Sequence, residues 1–542
     1  METVLDCVVN YIHDANDRNS FSLVSHTCYD VDAKTRRHVT AHLCYATPLR
    51  CRQRFPFIKS LTLTGSPHIV NVTSSPCNWD HNVNPWVQEI AASFKRLKVV
   101  RFQNLVVHDS DLELIARTRG EKLKVLEIDS CSGFSTDGLL CIGKYCNHLR
   151  ILSLENSSIS EKDGGWLHEL ALQNTRIESL NLYKAGLTKF NVNDLALVAK
   201  KCSQSLVSVK ISEHYDFIDL VEFFGYAIKL EDFGGGRFGN NNAFVMNHMN
   251  GINQFGNNNF VMNPIAQRDK YRDFKFPPKL KYLALNHMGR KDIVLPFAHL
   301  ITQLDIQYVY DGGYNYRNYS LIENCPNLEI LYITAVTNDT GLEQLSTYCK
   351  NLRKLYATSR MGHVTDKGLF ALATGCPKLE CLHINLSSIT YYIMAYIGMQ
   401  MKNLMDLSMV LLNKGVRKKN LVLDKCIRTL LIGCNKLERL SICFEELGGL
   451  SDESLKNIGM CGYNLRYLSL GYVGESDAGL LELSFGCPKL QNLVIKNCPF
   501  SKEAFDIFRC NVPSLRYFEV QGIPRHCRYL LEEDQPNFKQ IV

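Results

Sequence analysis

A short text recurs along nearly the whole chain, and it limits what the chain can fold into. Its clearest copy is CPNLEILYITAVTNDTGL at 325–342. Leu328, Leu331 and Ile333 point to one side and the residues between them to the other, which predicts a strand with one buried face. Asp339, Thr340 and Gly341 then turn the chain into a helical patch carrying Leu342 and Leu345 and closing at Cys349. One such unit cannot bury its own apolar face, so copies must stack on both sides of it.

The copies are there. LKVVRF at 97–102, LKVLEI at 123–128, LRILSL at 149–154, LRKLYA at 352–357, LECLHI at 379–384, LERLSI at 437–442 and LQNLVI at 490–495 are examples. Most successive first leucines lie 24 to 29 residues apart, the leucine-rich-repeat period. The expected fold class is therefore α/β: a leucine-rich-repeat solenoid, horseshoe to near ring, with a parallel inner sheet and outer helices.

The cysteines follow the same period. Cys146, Cys325, Cys349, Cys376, Cys434 and Cys487 each stand three residues ahead of the next first leucine. A small apolar thiol once per repeat reads as a packing position. There are no paired CxxC modules, so neither a metal site nor a disulfide framework is expected, and the chain is placed in a reducing compartment. The formal net charge of +7 is mild for 542 residues and points to no nucleic-acid partner. No apolar run of ~18 residues suggests a membrane span, and Met1–Asp17 has no signal-peptide core.

Residues 1–48 lack the repeat and form a first domain, with the repeats filling 49–542. Val4, Leu5, Val8, Val9 and Ile12 recur at helical spacing. Asp17 and Asn19 are placed to cap a second helix with Phe21, Leu23 and Val24, and a third is expected from about Val31 to Leu43, with Arg36, Arg37 and His38 outward. Three short helices make a core too small to stand alone. Three inserts break the rhythm: rim inserts at 66–93 and 410–424, and a mobile insert at 237–275, where FGNNNAFVMN at 238–247 is echoed at 255–263. No HExxH, paired-acid or phosphate-loop pattern occurs, and His168 reads as a repeat-face residue, so no catalytic residue is expected.

HVTAHLCYAT at 38–47, CSGFSTDGLL at 131–140, SEKDGGWLHELA at 160–171 and PSLRYFEVQG at 513–522 carry a resemblance that spans essentially the whole chain. Together with the three-helix head, they resemble plant F-box leucine-rich-repeat hormone receptors, and within these the coronatine-insensitive (jasmonate co-receptor) family. The resemblance implies a non-catalytic substrate-recognition subunit of an SCF-type (cullin–RING) ubiquitin ligase, located in the nucleus and also in the cytoplasm. An F-box-like head would dock a Skp-type adaptor, and through it a cullin, by the face of Val4, Leu5, Val8 and Ile12. The repeats would hold a jasmonate conjugate and a repressor degron, and the family also admits an inositol phosphate as cofactor.

The chain departs from the family where binding is concerned. It lacks the opening Leu-Pro of the head, and Cys28 stands at the position of a tryptophan. In the family pocket, arginines and tyrosines grip the hormone. Here Thr334 and Ser408 fall at arginine positions, Asn385 and Cys443 at tyrosine positions, and Glu519 at a tryptophan position. In the first insert His68 and Val72 replace an arginine and a phenylalanine, and Lys496 replaces a further arginine. A carboxylate clamp needs guanidinium forks, which threonine and serine cannot imitate. The ligand-binding candidates that remain are His68, Arg101, Tyr308 and Lys496. Two alternatives stay open: a divergent member that has lost jasmonate binding and recognises another degron or ligand, and a plain repeat scaffold whose head is a cap.

Overall fold

The computed structural model describes residues 2–12, 14–43, 46–65, 82–162, 165–187, 190–212, 215–236, 274–285, 294–306, 319–333, 338–358, 364–387, 389–412, 423–444 and 450–521. The chain forms two compact units, Met1–Leu280 and Lys281–Val542.

In the first unit, helices Glu2–Val8, Ala15–Ser22 and His26–Thr35 build the head, with a single 3-10 turn at Val9–Tyr11. The second helix is capped by Asp14, whose Oδ1 accepts from the Asp17 amide at 2.9 Å, and not by Asp17 or Asn19. Leu23 and Val24 lie beyond its end and are exposed. The third helix starts at His26 and stops at Thr35, earlier than the expected 31–43. Ser25 caps it by accepting from the Cys28 amide. The following residues become strand β1 (His38–His42), because Val39 and Ala41 alternate with exposed neighbours.

Strand β1 pairs in parallel with β2 (Ser60–Thr64), Val39 lying beside Leu61. The sheet continues through β3 (Val99–Gln103) and β4 (Val125–Asp129), and a two-stranded side ladder joins β5 (Ser132–Ser135) and β7 (Ser158–Ser160). Beyond β4 the main sheet runs through β6 (Ile151–Ser153), β8 (Ser179–Asn181), β9 (Ser208–Lys210) and β10 (Asp232–Gly234). An aromatic cluster follows β10: Phe217 packs against Phe274 and Phe276 at ring-centroid distances of 5.8 and 5.5 Å. Both later rings are buried, so the core resumes at Phe274 and the insert expected at 237–275 ends before it; its residues 237–273 lie outside the described ones. The first rim insert is likewise shorter than expected. Residues 66–81 lie outside the described residues, whereas Asn84–Ala92 is the outer helix of that repeat, with Trp86, Val87 and Ile90 buried.

The second unit is one parallel sheet from β11 to β20. Its strands are β11 (Tyr282–Ala284), β12 (Gln303–Ile306), β13 (Ile330–Ile333), β14 (Lys354–Ala357) and β15 (Cys381–Leu386). Then come β16 (Asp406–Leu411), β17 (Arg439–Phe444), β18 (Tyr467–Gly471), β19 (Asn492–Lys496) and β20 (Tyr517–Gln521). The register keeps the repeat leucines in line: Leu331 pairs with Leu355, Leu355 with Leu382 and Leu382 with Leu407. All four are fully buried, and each such leucine contributes roughly 1.5–3 kcal/mol. Val410 and Leu411 belong to β16, and helix Leu423–Gly433 begins at 423, so the expected insert at 410–424 shrinks to 413–422, outside the described residues.

Adjacent repeats are also tied through polar side chains. Asp339, the first residue of helix Asp339–Tyr348, reaches sideways to the next repeat's helix start. Its Oδ1 accepts from the Thr365 and Gly368 amides at 2.8 and 3.1 Å, and its Oδ2 accepts from the Thr365 hydroxyl at 2.6 Å. Asp109 does the same for Ser135 and Gly138, and Asp477 for Ser501. One carboxylate thus satisfies helix-start amides that would otherwise lack partners. The period cysteines sit at the other end of the helices: Cys434 Sγ donates to the Met401 carbonyl at 3.5 Å, and Cys487 to that of Ile458 at 3.4 Å. Burial pushes the Cys434 thiol up to about 11 and the Cys487 thiol to about 12.

Candidate functional site on the inner face of the strands

A strand in this array buries one side against the outer helices and leaves the other for recognition. The available chemistry is therefore set by the residues between the repeat leucines.

In the first unit, Arg101 occupies such a position on β3, flanked by Thr62 and Glu127. Its Nε donates to Glu127 Oε2 at 2.5 Å and one terminal nitrogen to the Ser60 hydroxyl at 3.3 Å. Arg101 is thus on the inner face and paired with an acid. Burial, followed by the charge of Arg101, lowers the pKa of nearby His38.

In the second unit a continuous polar and aromatic row crosses six strands, β13 to β18. Tyr332 stacks on Tyr356 with centroids 4.4 Å apart and an interplanar angle of 5°. The Tyr356 ring meets His383 edge to face at 4.8 Å. His383 Nε2 lies 3.0 Å from Asp406 Oδ1, and Arg439 Nε donates to Asp406 Oδ2 at 3.2 Å. The Arg439 guanidinium covers the Tyr467 ring at 4.2 Å. Burial works to lower the His383 pKa, but hydrogen bonds to Asp406 and Cys381 outweigh it and hold the ring at about 9. Burial, reinforced by the Cys381 thiol, raises the Tyr356 phenol.

The row does not follow from the repeat period alone. Its signal is nonetheless printed in the sequence, as the fifth letter of LEILYI, LRKLYA and LECLHI. Stacking these strands by register puts Tyr332, Tyr356 and His383 side by side.

The expected ligand residues fall differently. His68, Val72, Tyr308 and Thr334 lie outside the described residues. Lys496 is the last residue of β19, half-buried, and no acid is paired with it among the described residues. Asn385, Cys443 and Lys496 do share one row, in register through Val410 and Gly471. Ser408 and Glu519 lie in the neighbouring row, and Glu519 is engaged by the Tyr517 hydroxyl at 2.5 Å and the Gln521 amide at 2.8 Å. An inositol phosphate would need several unneutralised cations converging on it. Arg101 is paired with Glu127, and Arg439 with Asp406. Lys354 and Lys496 stand five strands, roughly 24 Å, apart. The described inner-face residues of the second unit do not fit that group.

The head presents a second candidate surface. Val9 is fully buried, whereas Val4 and Val8 are 64% and 53% exposed, and Leu5 and Ile12 are half-buried. The stripe read from the sequence therefore divides: Val9 holds the head together, while Val4 and Val8 face out, as do Tyr11, Leu23 and Val24. Several large apolar side chains exposed on so small a bundle suggest a docking surface.

Residues 1–38 match the F-box family. The chain is 41% identical over 534 residues to Coronatine-insensitive protein 1 of Arabidopsis thaliana, covering 96% of this chain and 86% of that protein. It is 37% identical to Coronatine-insensitive protein homolog 1a of Oryza sativa subsp. indica, covering 96% and 84%. To Coronatine-insensitive protein homolog 2 of the same rice it is 35% identical, covering 96% and 86%.

Proposed function

The chain belongs to the coronatine-insensitive family of F-box leucine-rich-repeat proteins, and from that premise we propose that it is the substrate-recognition subunit of an SCF-type ubiquitin ligase. The head docks a Skp-type adaptor, which carries the cullin, and the inner face of the repeats captures a repressor-protein degron for ubiquitination and proteasomal degradation. The chain itself does no chemistry in this reading; the ubiquitin transfer belongs to the associated subunits. A nuclear location, with a cytoplasmic pool, is part of the same proposal.

The observation that carries it is the coincidence of the F-box match over residues 1–38 with the exposed apolar residues of that stretch, Val4 and Val8 among them. The test is coelution of the purified chain with a Skp-type adaptor and a cullin fragment in size-exclusion chromatography. A stoichiometric complex is expected. A chain that is soluble alone and elutes apart from the adaptor at micromolar concentration would leave the head only a capping role.

A second reading, of a family member that recognises another degron or ligand, is favoured by the inner face itself. Ser408, Asn385 and Cys443 supply no cation where the family resemblance places arginine and tyrosine. We therefore propose that jasmonoyl conjugates bind weakly here and that degron capture depends little on them.

A further inference from the structure

The inner row contains a cluster of metal-ligand-type side chains that has no part in adaptor or degron binding as proposed above. Cys381 and His383 stand two residues apart on β15, so their side chains leave the same face of the strand. Asp406 on β16 is the direct register partner of Cys381. One ligand-type atom from each residue, the thiol sulfur, an imidazole nitrogen and a carboxylate oxygen, lies within 4.8 Å of the other two.

We propose that Cys381, His383 and Asp406 form a binding site for a thiophilic divalent cation of the zinc class. One thiolate, one imidazole and one carboxylate suit zinc, whereas magnesium or calcium would demand oxygen ligands. His383 Nε2 and Asp406 Oδ1 are 3.0 Å apart. Around a tetrahedral zinc, N/O and S/N pairs stand about 3.3–3.6 Å apart, so the His383–Asp406 pair would open by a few tenths of an ångström while the ion draws in the Cys381 sulfur, which lies within 4.8 Å of both.

On binding, the Cys381 S–H bond gives way to a sulfur–metal bond and its proton passes to solvent. His383 bonds through the Nε2 lone pair and gives up the proton lying toward Asp406.

The surroundings suit such a site. Cys381 is 5% exposed, while the His383 and Asp406 side chains are 29% and 25% exposed, so the cluster opens onto the inner face and leaves a fourth position for water or an incoming donor. The Tyr356 ring packs edge to face with His383, and Arg439 holds Asp406 Oδ2, the oxygen that does not face His383. Partners of this kind orient metal ligands. Arg439 is also a cation close to the ion, but its side chain is half exposed and the repulsion is screened by solvent.

The test uses the full chain stripped with a chelator. Zinc titrated against a chromogenic competitor should be taken up at one equivalent. Cobalt(II) should give the near-ultraviolet thiolate charge-transfer band and the visible bands of a four-coordinate ion. Cys381→Ser should abolish the charge-transfer band and weaken zinc binding at least ~100-fold, beyond the roughly 10–100-fold lost when only a supporting group is removed. His383→Gln should weaken it likewise, and Cys376→Ser, in the buried packing row, should leave it intact. Zinc should raise the thermal midpoint of the unmodified chain and not that of His383→Gln. No stoichiometric uptake, or a cobalt spectrum that survives in both Cys381→Ser and His383→Gln, overturns the proposal. Neither result bears on whether the head docks an adaptor.

Discussion

Asp32, on helix His26–Thr35, and Arg54, the last residue of helix Pro48–Arg54, meet at 3.4 Å. Arg18 and Arg36 grip the same carboxylate at 2.8 and 3.0 Å, and Asp32 is fully buried. The Arg54 guanidinium also stacks on the Tyr29 ring at 3.0 Å and donates to the Ser22 hydroxyl at 2.9 Å. One carboxylate therefore joins two helices of the head to the helix that follows β1. Removing it leaves three arginines, each only 12–14% exposed, around an empty centre.

Asp32→Ala is accordingly expected to destabilise the head by about 3–5 kcal/mol, the usual result of deleting one partner of a buried ion cluster. Limited proteolysis should show cleavage between residues 36 and 48 appearing at lower temperature than in the unmodified chain. Unchanged protection would show that apolar contacts alone hold the head.

Gly368→Ala tests the link between repeats. Alanine is the better helix former by about 1 kcal/mol. Its methyl, however, would lie 2.6 Å from Asp339 Oδ1 and 2.9 Å from the Asp339 Cα. The clash should win, costing about 1–3 kcal/mol and lowering the thermal midpoint. Asp339→Ala combined with Gly368→Ala should cost somewhat less than the sum of the two, because the first removes the carboxylate oxygen the new methyl meets and leaves only the contact with the Asp339 Cα.

The period cysteines should resist alkylation. Burial raises Cys376 and Cys434 to about 11 and Cys349 and Cys487 to about 12, so at pH 8 almost none of these thiols is ionised, and thiolate appears only as pH rises toward those values. Iodoacetamide at pH 8 should label exposed Cys7 and Cys510 well before the period cysteines, as read by mass spectrometry. Early labelling of Cys434 in folded protein would mean that its repeat opens readily.

These cases mark how far the sequence could be read. The strand leucines and the period cysteines are local patterns, so the places of Leu331, Leu355 and Cys434 are legible from spacing alone. The tie from Asp339 to Gly368 is not, because the partner lies one repeat away and each half looks like an ordinary helix start. Cys381, His383 and Asp406 were hidden for the same reason: two ligands share a strand, but the third arrives only through register. The third head helix failed through propensity. Val39 and Ala41 continue an apolar face that suits helix and strand alike, and the choice was made by pairing with Leu61 and Leu63.

Adaptor docking should depend on the outward face of the first helix. Val8→Asp places a charge on a side chain 53% exposed, so folding should be almost unaffected while the apolar contact is lost. Pull-down with a Skp-type adaptor is expected to weaken by at least ~10-fold, the effect of a contact worth roughly 1.4 kcal/mol. Val9→Asp should instead unfold the head, since Val9 is fully buried. Equal adaptor capture by Val8→Asp and the unmodified chain would move the docking face elsewhere.

The most direct measurement is capture of a jasmonate-repressor degron peptide by the purified chain–adaptor complex, with and without a jasmonoyl conjugate, beside the double change Thr334→Arg and Ser408→Arg. Two lost arginine contacts, each worth ~1.5–3 kcal/mol, would weaken hormone binding by roughly a hundred- to ten-thousand-fold or more if they act independently. The unmodified chain should then show no hormone-dependent gain at micromolar conjugate, and the double variant should recover part of it. Tight, hormone-dependent capture by the unmodified chain, lost on Lys496→Ala, would contradict the account and place a rebuilt carboxylate site at that lysine.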